Sequence, residues 1–148
     1  MKMMRDWHRD EYLISTDPSK IDLYVVHGFL TRSYWAEGIP MELVKRSIEH
    51  SLPFGVYKGN QQIGFARVIT DYATFAYIGD VFIAEEFRGH GLSKWLMEVV
   101  VSCPELQGCR RWLLATRDAH GLYRKVGFTE LKAPERWMER HFPGIYKK

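Results

Sequence analysis

The chain has 148 residues, of which 46% are hydrophobic and 26% are charged. This composition is too apolar for a disordered chain and too charged for a membrane protein, and the length favours a single domain over residues 1–148. The net charge of +3 is uneven, because residues 1–87 carry 9 basic and 12 acidic side chains and residues 88–148 carry 12 and 6. An anionic ligand therefore fits the second half better.

The two cysteines, Cys103 and Cys109, provide neither a disulfide framework nor the spacing of metal ligands, so no metal is expected. No segment reaches the ~20 uncharged apolar residues that a membrane helix needs. The first residues also lack the apolar core of a signal peptide. We therefore expect a cytoplasmic protein with no membrane partner.

The first predicted elements are a strand and two helices. The strand is Tyr12–Ser15. Ser19 with Asp22 three residues later resembles a capping box, which predicts a helix from there to Leu30. Pro40 is suited to the first position of a second helix.

Three apolar segments then predict an antiparallel meander. They are residues 54–58, Gln61–Thr70 and Phe75–Ile83, and Gly59-Asn60 between the first two indicates a hairpin turn. A third helix follows, because apolar residues recur at helical spacing at Leu92, Trp95, Leu96, Val99 and Val100.

The last predicted elements are a strand over residues 111–116 and a helix that Asp118 caps and that ends at Gly127. The segment after Phe128 is expected to add a final strand or hairpin, which also offers a surface for a homodimer. The resulting order, β-α-α-β-β-β-α-β-α-β(-β), predicts a mixed α/β fold with helices on both faces of a mixed central sheet.

The most informative motif lies between the predicted third strand of the meander and the third helix, where residues 88–93 read Arg-Gly-His-Gly-Leu-Ser. A glycine turn directly before a helix directs backbone N–H groups at one point beside the positive helix end, which suits a pyrophosphate. Glycines let phosphate oxygens approach the backbone and permit positive φ. A purely structural turn is the other interpretation.

This motif resembles the Q/R-x-x-G-x-G/A signature of the GNAT superfamily of acyl-CoA-dependent N-acyltransferases, with Ser93 where Gly or Ala is usual. Residues 120–128, His-Gly-Leu-Tyr-Arg-Lys-Val-Gly-Phe, resemble the helix of that family that ends in Y-x-x-x-G-F. The family commonly has Asn seven residues before this Tyr, whereas this chain has Thr116. The resemblance extends from Tyr12 to Phe128, and the GNAT-like fold is the one expected here.

The resemblance implies that acetyl-CoA is the co-substrate and that the glycine loop holds its pyrophosphate. The expected binding residues of this loop are Arg88, Gly89, His90 through its backbone, Gly91, Leu92, Ser93 and Lys94. The pantetheine arm is expected to pair with the backbone of Phe82 and Ile83, like an added strand. Tyr123 occupies the position of the proton donor to the departing sulfur, although simple packing on a helix face is the alternative.

Asp80 is the candidate general base, because it lies in an otherwise apolar strand. Two-residue alternation places it on the same face as Ile78 and Phe82. A carboxylate there is costly unless it is paired or used, and pairing with Arg67 is the equally open alternative.

The acceptor is expected at residues 31–38, where Tyr34, Trp35 and Glu37 can form the wall of an amine site. The alternative is a hydrophobic lid over the core. The leading function is acetyl transfer from acetyl-CoA to a primary amine of a small molecule, amino acid or peptide, by direct attack.

Two other function classes compete with this interpretation. A non-catalytic acyl-CoA-binding sensor would use the same loop. A nucleic-acid-binding domain would rely on basic residues of the second half, namely Arg110, Arg111, Arg117, Arg124 and Lys125. No recognised nucleic-acid motif accompanies these residues, so no nucleic-acid partner is expected.

Overall fold

The computed structural model describes residues 3–147, in which six strands form one sheet in the order β1-β2-β3-β4-β5-β6. The strands are β1 Asp6–Arg9, β2 Tyr12–Ser15, β3 Leu52–Lys58, β4 Gln61–Thr70, β5 Phe75–Ile83 and β6 Arg111–Leu114. The α-helices are α1 Leu23–Leu30, α2 Met41–Glu49, α3 Leu92–Ser102 and α4 His120–Arg124. Neighbouring strands from β1 to β5 are antiparallel, and β6 is parallel to β5. The mixed α/β class is therefore confirmed.

Helices cover both faces of the sheet, as predicted. On one face, α1 and α2 bury Val26, Leu30 and Val44 in one cluster with Phe65 and Phe82. Each such buried side chain contributes ~1.5–3 kcal/mol to folding. The helix at this face begins at Asp22, whose side chain accepts hydrogen bonds from the backbone N–H groups of residues 24 and 25.

On the other face, α3 buries Leu96, Met97 and Val100 in a second cluster with Phe54 and Ile78. The helix begins at Leu92, where the apolar pattern placed it. None of the α-helices within residues 3–147 is long and apolar enough to cross a membrane.

Three local predictions in the first half were wrong. Strand β1 was not predicted, and it forms a hairpin with β2. Ser19 does not cap α1, because it lies in a 3-10 turn that Asp17 caps, while Asp22 alone caps the helix. Pro40 is the residue before α2 rather than its first residue.

The C-terminal predictions also needed correction. Asp118 does not cap α4; instead the Thr116 hydroxyl accepts from the backbone N–H of Ala119, which precedes the helix. Gly127 does end this helical segment, with φ +98°, and Phe128 N–H donates to the Tyr123 carbonyl over 3.1 Å.

No strand follows Leu114 in the described part of the chain, so the predicted final strand or hairpin is absent there. Between Phe128 and residue 147, the regular structure consists of a 3-10 turn at Pro134–Arg136. Pro134 and Pro143 lack the backbone N–H groups that a strand ladder needs, which accounts for the irregular path.

A β-bulge at Asp80 interrupts β5. Arg67 pairs with Gly79 and Phe65 pairs with Phe82, so a single residue of β4 faces Asp80 and the residue after it. Asp80 has φ +56°, a left-handed backbone conformation. The bulge corrects the predicted alternation, because residues 78 and 82 now belong to the cores on opposite faces.

The parallel neighbour of β5, strand β6, ends just before the bulge. The last pair with β6 joins Ile78 to Leu114, whereas β5 continues to Ile83 with β4 alone beside it. One edge of β5 therefore stays open from Gly79 onward, and the candidate site is built around this edge.

Candidate functional site

The open end of β5 leads into a glycine turn at the start of α3. A 3-10 turn, Glu85–Phe87, follows the strand, and then Gly89 and Gly91 adopt φ +85° and +74°. Gly91 is the residue before the first turn of α3. A side chain in this conformation costs roughly 1–2 kcal/mol, so the glycines are needed for the shape of the turn, as predicted.

The N-terminus of α3 is electrostatically suited to an anion. The first turn contains no acidic residue and no side chain caps it, so its free backbone N–H groups point outward. A cavity of about 240 Å³ lies beside it. Its lining residues are Ile83, Phe87, Arg88, Gly89, Gly91, Leu92, Ser93, Lys94 and Leu122. We call this cavity and its lining the cradle.

The cradle brings together most of the predicted donor-binding residues. Phe82 and His90 do not line it, because the Phe82 ring stacks on Phe29 at 4.0 Å and His90 is exposed. The Arg88 side chain is anchored, since its Nε donates to the carbonyl of Ile83 over 2.9 Å. The fixed Arg88 side chain thus joins the end of β5 to the glycine turn.

Asp80 is held by two hydrogen bonds. Its Oδ2 accepts from Arg67 Nε and its Oδ1 accepts from Trp35 Nε1, both over 2.9 Å. The Arg67 and Asp80 side chains are only 17% and 12% exposed, so this is a largely buried ion pair. Asp80 therefore does pair with Arg67, which was the alternative to its role as a general base. Each carboxylate oxygen still has acceptor capacity for a further donor, so the base role is compatible with the pair.

Of the predicted acceptor residues, Trp35 contacts Asp80, and Tyr34 lies against Trp35. The rings of Tyr34 and Trp35 are 5.0 Å apart in an edge-on arrangement, and the Arg117 guanidinium lies 4.0 Å over the Tyr34 ring. Both aromatic side chains remain exposed. The third predicted residue, Glu37, is instead paired with Lys147 over 3.0 Å at an exposed position. The loop between α1 and α2 therefore meets both β5 and the segment after β6.

Tyr123 lies on α4 and is buried, with its ring edge-on to Phe128. Burial raises the pKa of the Tyr123 hydroxyl above its usual range, and the nearby Tyr34 adds to the increase. The hydroxyl therefore keeps its proton at neutral pH. Tyr123 lines a groove of about 1080 Å³ between β6 and residues 128–137, whereas its neighbour Leu122 lines the cradle.

From the sequence, Arg117 was named only as one of several basic residues in the second half of the chain. Its position directly after a parallel strand was the available signal, because ligands of α/β proteins gather at the carboxyl ends of such strands. The contact with Tyr34 could not be read from the sequence, since 83 positions separate the two residues.

Comparisons with known proteins agree with this geometry. A model of the Acetyltransferase (GNAT) family matches residues 1–128. The solved structure of a GNAT-family protein from Xanthomonas campestris pv. campestris is 50% identical and covers 95% of this chain and 100% of that chain, with a TM-score of 0.92.

Two further matches are less similar to this chain in sequence. An uncharacterized N-acetyltransferase of Porphyra purpurea is 30% identical over 133 residues, which cover 86% of this chain and 74% of that protein. A GNAT family acetyltransferase from Elizabethkingia anophelis, solved with acetyl-CoA bound, shares the fold at a TM-score of 0.62 and 17% identity, covering 82% of this chain and 78% of that chain.

The Asp80–Arg67 pair is expected to stabilise the fold. In a double-mutant cycle of Asp80→Asn and Arg67→Gln, we expect a coupling of about 1–3 kcal/mol in the free energy of unfolding, measured by urea denaturation. Asn tolerates the left-handed backbone of position 80, so the cycle isolates the charge. The exposed pair Glu42–Arg46 is the control and should couple by no more than about 0.5 kcal/mol. Equal coupling in both cycles would contradict the expected role.

Proposed function

Because the chain belongs to the acetyltransferase (GNAT) family, we propose that it transfers the acetyl group of acetyl-CoA to a primary amine of a small molecule, an amino acid or a peptide. The observation that supports the proposal best is that β5 carries both the cradle, at its end, and the Asp80 carboxylate. The cradle follows the strand end, and Asp80 lies within the strand and is hydrogen-bonded to Trp35, which Tyr34 contacts.

The donor is proposed to lie along the end of β5 and into the cradle. Ile83 has no strand beside it on the side that β6 has left, so its backbone N–H can pair with an amide of a pantetheine arm, while the neighbouring Phe82 directs its backbone toward Phe65 of β4. The bare N-terminus of α3, with Arg88 and Lys94, suits the pyrophosphate. The glycine turn allows this approach because it has no Cβ atoms at Gly89 and Gly91.

The acceptor is proposed to enter from the loop between α1 and α2. An alkylamine arrives protonated, and the exposed Trp35 ring together with the Asp80 carboxylate attracts such a cation, while the Arg117 guanidinium already covers one face of the Tyr34 ring. Glu37 contributes negative charge at the outer wall of this entrance, where it also pairs with Lys147.

The chemistry requires a neutral amine, whereas a free alkylammonium has a pKa of about 10.4. We propose that Asp80 first passes one proton of the incoming ammonium to solvent, directly or through water, and then accepts a second N–H proton as the neutral amine nitrogen attacks the thioester carbonyl carbon. The C–N bond forms, the C–S bond breaks, and the sulfur leaves with the electron pair. Tyr123 donates its hydroxyl proton toward that sulfur, which ends as the thiol of coenzyme A, and the phenol recovers a proton from solvent.

Acetyl-CoA-dependent thiol release across a panel of polyamines, amino acids, aminoglycosides and peptides tests this proposal. We expect release with one amine class, and a fall in kcat of about 100-fold or more for Tyr123→Phe and Asp80→Asn, because each variant removes a proton-transfer group. Tyr24→Phe, which changes an exposed tyrosine of α1, is the control and should match the wild type. Because burial raises the pKa of its hydroxyl above the ordinary tyrosine value, Tyr123 should stay protonated and should not cause a loss of rate at neutral and mildly alkaline pH.

The same assay separates the competing functions. If acetyl-CoA binds and no amine raises thiol release, the non-catalytic acyl-CoA sensor is favoured over the enzyme. If acetyl-CoA does not bind, the donor site at the cradle is wrong. Unchanged kcat in both variants would contradict the assigned catalytic roles while leaving acetyl transfer in place.

We also propose that the protein is a cytoplasmic homodimer. The free thiols Cys103 and Cys109 are typical of a reducing compartment. Strand β6 is an edge of the sheet, and several large apolar side chains beyond Phe128 are exposed. They are Leu131, Trp137, Met138, Phe142 and Ile145.

Sedimentation velocity tests the dimer. We expect a species of twice the 17.4 kDa chain mass, because the exposed apolar segment would be covered by a second copy. Substituting Met138 and Phe142 by Ser should shift the protein to the monomer, whereas Met4→Ser, at another exposed methionine, should not. A monomer at high micromolar concentration would contradict the proposal.

A further inference from the structure

The hairpin of β1 and β2 places an arginine beside the glycine turn of the cradle. Arg9 is the last residue of β1, and Asp10 turns the chain toward β2 with φ +54°. Arg9 Nη2 lies 3.4 Å from the position that a Cβ on Gly91 would take. The Arg9 guanidinium carbon is also 5.3 Å from the centre of the Trp95 ring. Arg9 therefore lies across the beginning of α3.

This position is electrostatically unfavourable for an arginine in the absence of an anion. A helix N-terminus carries about half a positive charge and stabilises acidic groups, not basic ones. The first turn of α3 contains Lys94 and no acidic residue. Within residues 3–147, Arg9 has no ion-pair partner, whereas Lys58, near the same hairpin, is paired with Glu11 over 2.9 Å. Arg9 and Lys94 thus concentrate positive charge where the helix is already positive.

We propose that Arg9 binds a phosphate group of the acyl-CoA donor. The inference rests on the donor site proposed above and adds to it a residue from outside the glycine-turn motif. Coenzyme A carries a pyrophosphate and a ribose 3′-phosphate, and an arginine fork matches phosphate oxygens with two parallel hydrogen bonds. The Trp95 ring holds the guanidinium in place before the ligand arrives, which lowers the entropy cost of the contact. The donor site then includes the β1–β2 hairpin.

Titration calorimetry with coenzyme A and with 3′-dephospho-coenzyme A tests the assignment without depending on catalysis. We expect Arg9→Gln to raise the Kd for coenzyme A about tenfold, as the loss of one charge-assisted contact predicts. Arg46→Gln, on α2 at the opposite face of the sheet, is the matched control and should stay within twofold of the wild type.

A comparison of the two ligands shows which phosphate group Arg9 contacts. If Arg9→Gln weakens only the binding of coenzyme A, Arg9 contacts the 3′-phosphate; if it weakens both ligands equally, the contact is to the pyrophosphate. If neither Kd changes by more than twofold while Lys94→Gln weakens binding, the proposal is overturned but the cradle stands. If the wild-type protein binds neither ligand, both the cradle and the Arg9 contact are wrong.

Thermal melting separates a phosphate contact from a structural role. Removal of a positive charge from a helix N-terminus should leave the Tm of the ligand-free Arg9→Gln protein unchanged or higher, while the rise in Tm on adding saturating coenzyme A becomes smaller. Arg9→Lys should restore part of that rise, because it keeps the charge without the planar fork. A ligand-free Tm lowered by several degrees would instead indicate a supporting role in the fold, which contradicts the proposal.

Discussion

The site depends on the β-bulge at Asp80. A left-handed backbone at a residue other than glycine costs roughly 1–2 kcal/mol, and the ion pair with Arg67 and the hydrogen bond from Trp35 offset this cost. The bulge lets β5 pack Ile78 toward α3 and Phe82 toward α1. It also directs a carboxylate toward the loop between the first two helices. One local irregularity therefore serves both core packing and the placement of a chemical group.

The open edge of β5 gives one strand access to both of the proposed ligands. Pairing with β6 stops at Ile78, and beyond it the strand continues toward the glycine turn with no strand on the side that β6 has left. Asp80 lies in this part of the strand with Trp35 hydrogen-bonded to it and Tyr34 against Trp35, and the cradle lies at the strand end. The acidic first half and the basic second half of the chain thus meet at β5. This arrangement suits a cationic acceptor and a polyanionic donor.

Local patterns predicted much of the fold, and long-range contacts account for the rest. Strands β4 and β5 and the start of α3 follow from alternation, helical spacing and glycines, which act over a few residues. Strand β1 was missed because Trp7 is its single apolar residue. The cradle was predictable because a motif specifies it, whereas the bulge breaks the regular alternation on which strand predictions rely. The pairing of Glu37 with Lys147 and the stacking of Arg117 on Tyr34 join distant segments, which no local pattern reveals.

The central claim is that the open edge of β5 receives the donor as an added strand. Amide hydrogen exchange, measured residue by residue with and without saturating coenzyme A, tests it directly. The account predicts that the amide of Ile83, which faces the side without β6, exchanges at least about ten times more slowly in the complex, while the β3–β4 amides around Phe54 and Ala66 do not change. Protection confined to residues 88–94, with Phe82 and Ile83 unaffected, would show that the phosphates bind while the arm does not pair with β5, and would contradict the account.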